Sequence, residues 1–431
     1  MAQDPKSLAA GQSQRQITAG VPLSIDENTP ELFRPLSIRS VTLRNRICVS
    51  PTCMYSVASS GPLTGVMTPL YITTIGHNVF KGAALAMIEA TGVQPNGRIT
   101  PHCPGLWNDA QQTGLKSIVD FIHSQGGLCG VQLSHAGRKS STQPPLVAQQ
   151  LGKSSARASK EEGGWPDDVL GPSGGVEQSW DGKGLDPAGG YHIPRGMTEL
   201  EIQDVVSNYA KAAQRAVKAG VDILEIHGAH GYLINQFLNP VTNRRTDRYG
   251  GSFENRVRLL LEAIIAVRAV IPKSMPLFVR LNCTDWTEQT EAGKKFGSWT
   301  EESTHKLIRM LPNLGVDLVD ISSGGNYHSA KLNVFDGDHS HTAMALRIKK
   351  TLQEEGNKIL IGTVGLITEA NQARDLVQSD AKRGPGVDII SVGRQFLKEP
   401  DWVLKVASEL GVEVAWPLQL ERLRPGPIAR I

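Results

Sequence analysis

The chain has 431 residues, 40% of them hydrophobic and 20% charged, which is enough apolar matter for a sizeable core and argues against wholesale disorder. Its formal charge is only +3 and its 45 basic residues are scattered, so neither nucleic acid nor an anionic membrane surface is indicated as a partner. Five cysteines, Cys48, Cys53, Cys103, Cys129 and Cys283, contain no CxxC pair and leave one over from even pairing, which fits a reducing, cytoplasmic compartment.

Residues 1–31 carry no periodic apolar pattern and read as a flexible N-terminal extension. They lack the apolar centre of a secretory signal, and no run in the chain approaches the ~20 apolar residues of a spanning helix. One folded unit is expected over residues 32–424, followed by a tail, 425–431. The tail's end, Ala429-Arg430-Ile431, follows the small, basic, aliphatic scheme of a peroxisomal address, with Ile in place of Leu.

Within the folded unit, eight short β-rich apolar runs recur: residues 47–51, 84–90, 128–133, 222–227, 277–282, 317–322, 358–363 and 387–392. Helix-length segments separate them. Thr198 with Glu201 makes a capping box ahead of Val205, Tyr209, Ala212 and Ala216, and Gly220 closes that helix. Ser252 and Thr300 open two more. Near-continuous apolar strands alternating with helices imply parallel strands covered on their outer face, so the expected fold is α/β, a single (β/α)8 TIM barrel. An open doubly wound sheet fits less well, because no GxGxxG follows the first strand. The Gly-, Pro- and Ser-rich stretch from Ser134 to Met197 reads as a long excursion over the barrel mouth.

Barrel chemistry gathers where strands end. Glycines after the seventh and eighth strands, Gly365 and Gly393, let backbone amides approach an anion, with Arg394 as a charged partner; they also serve as plain turn residues. His227 and His230 read as paired donors to a substrate oxygen, as core histidines, or as two ligands of a metal that lacks a nearby third. Tyr232 stands two residues on, and a phenol with a pKa near ~10 holds a proton to give at neutral pH. Arg280 in an apolar run calls for an anion, an electron-rich ring or a salt bridge. Cys53 reads as a nucleophile or, lacking a His–Asp pattern, as a thiol beside a cofactor.

The segment HGAHGYLINQFLNPVTNRRTDRYGGSFENR, His227 to Arg256, closely resembles the signature of the Old Yellow Enzyme family of FMN-dependent ene-reductases. Ser50-Pro51-Thr52-Cys53-Met54-Tyr55 is similar to the motif of its thermophilic-like, YqjM-type branch. The resemblance runs from about Leu32 to Arg422. It implies an NAD(P)H:flavin oxidoreductase, or NADPH dehydrogenase, that passes hydride from NADPH (or NADH) through FMN N5 to an α,β-unsaturated carbonyl or nitroalkene. In that scheme Ser50, Pro51, Thr52, Cys53, Ala90, Gln132 and Arg280 meet the flavin ring, and Gly365, Gly393 and Arg394 cradle its phosphate. His227 and His230 bind the substrate's oxygen, Tyr232 donates the proton and Tyr55 lies over the substrate. Arg422 is the arginine this branch lends to a neighbouring subunit, implying a homo-oligomer, a dimer or tetramer.

The chain departs from the family at Thr52, at Leu420 and across Asp336-Gly337-Asp338-His339. An iron–sulfur relative is disfavoured because no cysteine follows Cys283. The alternative of another class is a non-redox flavin-binding or decayed barrel, against which the intact His227, His230, Tyr232 and Arg280 argue.

Overall fold

Each of the eight runs forms a strand in the computed structural model, which describes residues 18–330, 340–382 and 384–424. In chain order, β1 (Leu36–Ile38) and β2 (Val41–Leu43) make an antiparallel hairpin, and β3 (Ile47–Val49), β4 (Leu85–Gly92) and β5 (Leu128–Ser134) follow. Two-residue strands β6 (Leu170–Gly171) and β7 (Arg195–Gly196) pair within the excursion. Then come β8 (Ile223–Gly228), β9 (Leu277–Asn282), β10 (Leu318–Ser322), β11 (Leu360–Val364) and β12 (Ile389–Val392).

Strands β3, β4, β5, β8, β9, β10, β11 and β12 are joined in that order and close as β12 pairs with β3. The closed sheet leaves no unpaired edge. Side chains alternate across it. Outward residues such as Ile88, Val131, Leu224, Val279, Val319 and Ile361 share one core with helix residues including Ile118, Ala212, Leu260 and Ile348. Burying each such Val, Leu or Ile side chain is worth about 1.5–3 kcal/mol relative to exposure. The helix caps form as the sequence implies. Glu201 N–H donates to Thr198 Oγ1 at 3.2 Å, Thr198 N–H donates to Glu201 Oε2 at 2.8 Å, and Gly220 takes φ +90° to end the helix Glu199–Ala219.

The hairpin is an element that the alternation does not announce. Ile38, Val41 and Leu43 pack against Leu85, Met87, Ile223, Phe278, Leu318 and Ile389, residues near the N-terminal ends of barrel strands. It stoppers that end, so the barrel's opening lies at the strands' C-terminal ends.

The N-terminal reading needs correction over its described part. Gly20 N–H donates to Ala415 O at 2.9 Å and Leu23 N–H to Glu413 O at 2.8 Å, with Pro22 bridged to Val414. Backbone pairing of this kind needs no apolar periodicity, which is why composition alone suggested a flexible arm. Residues 1–17, the segment 336–339 and the terminal Ala429-Arg430-Ile431 lie outside the described residues. Among the described residues no helix is long and apolar enough to cross a membrane.

Candidate active site

The turn after β8 is strained and heavily tied down. His230 adopts φ +58° and Gly231 φ +73°. A left-handed non-glycine residue costs on the order of 1–3 kcal/mol, so the surroundings must over-determine it. His230 N–H donates to Asn282 Oδ1 (3.1 Å) and Gly231 N–H to Asn235 Oδ1 (2.7 Å). Behind them the buried carboxylate of Asp285 accepts from the side-chain amides of Asn282 (2.6 Å), Asn239 (2.6 Å) and Asn326 (2.8 Å).

This scaffold sets three rings together. The His227 ring lies 5.1 Å from His230 and 5.0 Å from Tyr232, centroid to centroid, edge-on to both. Ala229 N–H donates to His227 Nδ1 (3.3 Å), which leaves the ring proton on Nε2 as an outward donor. His230 Nε2 shares a proton with Ser322 Oγ at 2.6 Å. Burial holds both imidazoles well below their ordinary pKa, with His230 adding to the effect on His227 and Arg280 to that on His230. Both are therefore neutral at pH 7. Burial, then nearby Cys53, pushes the Tyr232 phenol well above its ordinary value, so it keeps its proton. Lys139 lies over the Tyr232 ring at 5.0 Å and donates to His230 O at 2.9 Å; burial brings its own pKa down to about 7.

Cys53, Tyr55 and the Tyr232 ring pack against Ala90, Ile99, Cys103 and Ala136. Burial, then the neighbouring Glu89, raises the Cys53 pKa, so this is a thiol and lacks the thiolate character that a nucleophile needs. Glu89 anchors the loop that carries it: its Oε1 accepts from Met54 N–H (3.1 Å) and Tyr71 O–H (2.8 Å).

Beside them opens a cavity of about 570 Å³ at the strands' C-terminal ends. Ser50, Pro51, Thr52, Cys53, Tyr55, His230, Arg280, Gly365, Gly393 and Arg394, ten of the residues singled out in the sequence, line it together. Ala90, His227 and Tyr232 pack immediately around that lining. Gln132 sits deeper in the barrel, reaching Arg280 through Glu225. Arg422 is exposed on the short helix Leu418–Leu423 and does not enter this cavity of its own chain. No third His, Cys, Asp or Glu joins the histidine pair as a ligand set among the described residues. A larger cleft of about 1110 Å³, lined by Trp286, Glu288, Glu301 and Tyr327, contains none of these groups, so volume alone is a poor guide to the site.

Sequence reasoning missed His341 and Lys398, which line the same cavity, and Ser322, which bonds His230. The signal for Ser322 was present, since it ends a strand two residues after a buried acid. His341 follows a stretch of sequence with no periodicity and offered none.

A model of the NADH:flavin oxidoreductase / NADH oxidase family matches residues 31–413. The chain belongs to that family, the Old Yellow Enzyme family. Among its relatives are an NADH:flavin oxidoreductase of Gibberella zeae, 41% identical over 91% of this chain and 88% of that protein, and an NADPH dehydrogenase of Halalkalibacterium halodurans, 36% identical over 91% and 98%. Of solved structures, morphinone reductase superposes with a TM-score of 0.65 at 27% identity, covering 91% of this chain and 93% of that one. A variant of that reductase has been solved in complex with tetrahydroNAD. As an Old Yellow Enzyme family member the chain is an oxidoreductase with FMN as cofactor and NAD(P)H as reductant.

Proposed function

We propose that the protein is an ene-reductase, reducing the activated C=C bond of α,β-unsaturated carbonyls or nitroalkenes at the expense of NADPH or NADH. The observation that carries this reading is the triad after β8: two neutral imidazoles and one protonated phenol, with the His227 ring 5.1 Å from His230 and 5.0 Å from Tyr232 beside the cavity. Neutral N–H donors polarise an oxygen without protonating it, and a phenol is a proton source for carbon.

The cavity residues fit FMN. Arg280 Nε and His341 Nε2 are buried polar atoms that make no hydrogen bond within the protein. Gly365 stands at φ +120°, and a Cβ on Gly393 would meet Thr52 Oγ1 at 3.0 Å, so both leave bare backbone facing the cavity. Gly365, Gly393, Arg394 and Lys398 would hold the phosphate, and Ser50, Pro51, Thr52, Cys53, Ala90, Gln132 and Arg280 the ring. When bound, FMN supplies hydride transfer from nicotinamide to the alkene's β-carbon. His227 and His230 bind the substrate's oxygen, where negative charge develops, and Tyr232 places its proton on the α-carbon. Tyr55 covers the substrate. Nicotinamide and alkene use one cavity and bind in turn. Arg422, exposed on an unburied helix, is proposed to reach a neighbouring subunit's site in a homo-oligomer.

The purified protein should be yellow, bleach anaerobically with NADPH, and regain its colour on adding cyclohexenone. A flavin that bleaches but is not reoxidised by the enone would remove the alkene reading, and failure to bleach with either nicotinamide would remove the reductase. A narrower test concerns the cradle. Gly365→Ala forces a side chain into φ +120° and sets its Cβ 3.0 Å from His341 Nδ1. At roughly 1–3 kcal/mol of strain, FMN affinity should fall on the order of ten- to a hundredfold with the barrel intact. Fluorescence titration of the apoprotein with FMN measures this, and an unchanged Kd would take Gly365 out of the cradle.

A further inference from the structure

Below the mouth, five buried side chains form a polar chain across the barrel's interior. Gln132 Nε2–H donates to Glu225 Oε1 at 2.6 Å, and the same oxygen lies 3.5 Å from Arg280 Nε. Arg280 Nη2 is paired with Asp320 Oδ2, which also accepts from Ser391 Oγ–H at 3.0 Å. None of the five is more than 5% exposed. Arg280 and Ser391 line the cavity, so the chain's upper edge faces it.

The charge count is unusual. One guanidinium needs one counter-ion, and a second buried carboxyl adds desolvation cost without a second cation to offset it. Burial opposes the charge on Arg280, yet Asp320 and Glu225 more than offset that and hold it above its ordinary pKa. Burial, despite attraction to Arg280, raises Glu225, and Asp320 adds to the rise. Asp320 Oδ1 has no partner in the protein. Holding the arginine explains one of these acids and leaves the other over.

We propose that Asp320 and Glu225 act as a buried counter-charge that sets the reduction potential of the flavin bound against Arg280. This rests on the ring placement given above. Reduction adds negative charge to the ring; a cation beside it favours the reduced form, and anions behind that cation oppose it. Glu225 has a second effect. By taking the Gln132 N–H it leaves the amide oxygen as the acceptor for a ring N–H. Asp320 and Glu225 are positioning residues in this scheme, acting through Arg280 and Gln132.

The test is the midpoint potential of the FMN-loaded protein, equilibrated against redox dyes well above neutral pH, where Glu225, raised to about 7 by burial, is charged. Asp320→Asn and Glu225→Gln should each raise the potential, favouring the reduced form about tenfold, ~30 mV for a two-electron couple. Ser391→Ala strips a hydrogen bond from the Asp320 carboxylate, concentrates its charge and should move the potential the opposite way. Adding Arg280→Gln to Asp320→Asn should bring the potential back down. Unmoved potentials in both acid variants, with a fall on adding Arg280→Gln, would leave the ring placement standing and overturn the counter-charge. No movement in any variant, Arg280→Gln included, would overturn the placement and the inference with it. Should Asp320→Asn fail to fold, the opposite signs expected of Glu225→Gln and Ser391→Ala decide the matter.

Discussion

Replacing Tyr232 with Phe is expected to slow reoxidation of the reduced enzyme by alkene on the order of 10²–10⁴-fold while leaving reduction by NADPH within about twofold. The asymmetry follows from the proton balance. Hydride leaves nicotinamide without a proton from the protein, whereas saturating the alkene requires one at the α-carbon. Tyr232 keeps its proton because burial, then Cys53, disfavours the phenolate, and the residue lies 5.0 Å from His227, ring to ring. Phe preserves the ring, its edge-on contact with His227 and the Lys139 amine at 5.0 Å over its face. The backbone that opens the helix Leu233–Leu238 is likewise untouched. Stopped-flow traces of each half-reaction separate the outcomes, and equal slowing of both would deny Tyr232 the donor's part. Tyr55, whose phenol is also raised by burial, is the control: Tyr55→Phe should weaken alkene binding and leave the proton step intact.

Periodicity carried the fold far. Eight apolar runs became eight barrel strands because parallel strands buried on both faces must be apolar nearly throughout. The capping box at Thr198 and the left-handed Gly220 are local devices that any solvent-facing helix needs, so they too could be read directly. The stopper hairpin could not, since strands of three residues, Leu36–Ile38 and Val41–Leu43, are too short to show alternation. The site divides the same way. Residues at strand ends, from Ser50 to Arg394, line one cavity because a barrel brings the ends of its strands together. The acids behind them, Glu225 and Asp320, were not singled out. Yet Gln132, Glu225, Arg280 and Asp320 each stand two residues before a polar residue at or next to its strand's end, Ser134, His227, Asn282 and Ser322. That two-residue spacing is the pleat itself, pointing both layers into the barrel. What sequence could not supply was which interior residues from distant strands would touch.

The same limit hid Asp285, whose loss should be the most damaging to stability. Asp285→Ala is expected to cost about 3–5 kcal/mol, read as a large fall in the urea midpoint at unchanged slope. The carboxylate is fully buried and gathers amides from three separate parts of the chain: Asn239 after β8, Asn282 on β9 and Asn326 after β10. Alanine would leave those donors facing one another across a void, each losing a charge-assisted bond that nothing nearby replaces. The damage reaches the chemistry through one bond. Asn282 both donates to Asp285 and accepts from His230 N–H at 3.1 Å, so the network fixes the backbone of the left-handed His230. Folded Asp285→Ala protein should therefore also bind enones more weakly, with its FMN spectrum unaltered. Were the urea midpoint to stay in place, the amides must find other partners, and the strained turn after β8 would owe its shape to something else.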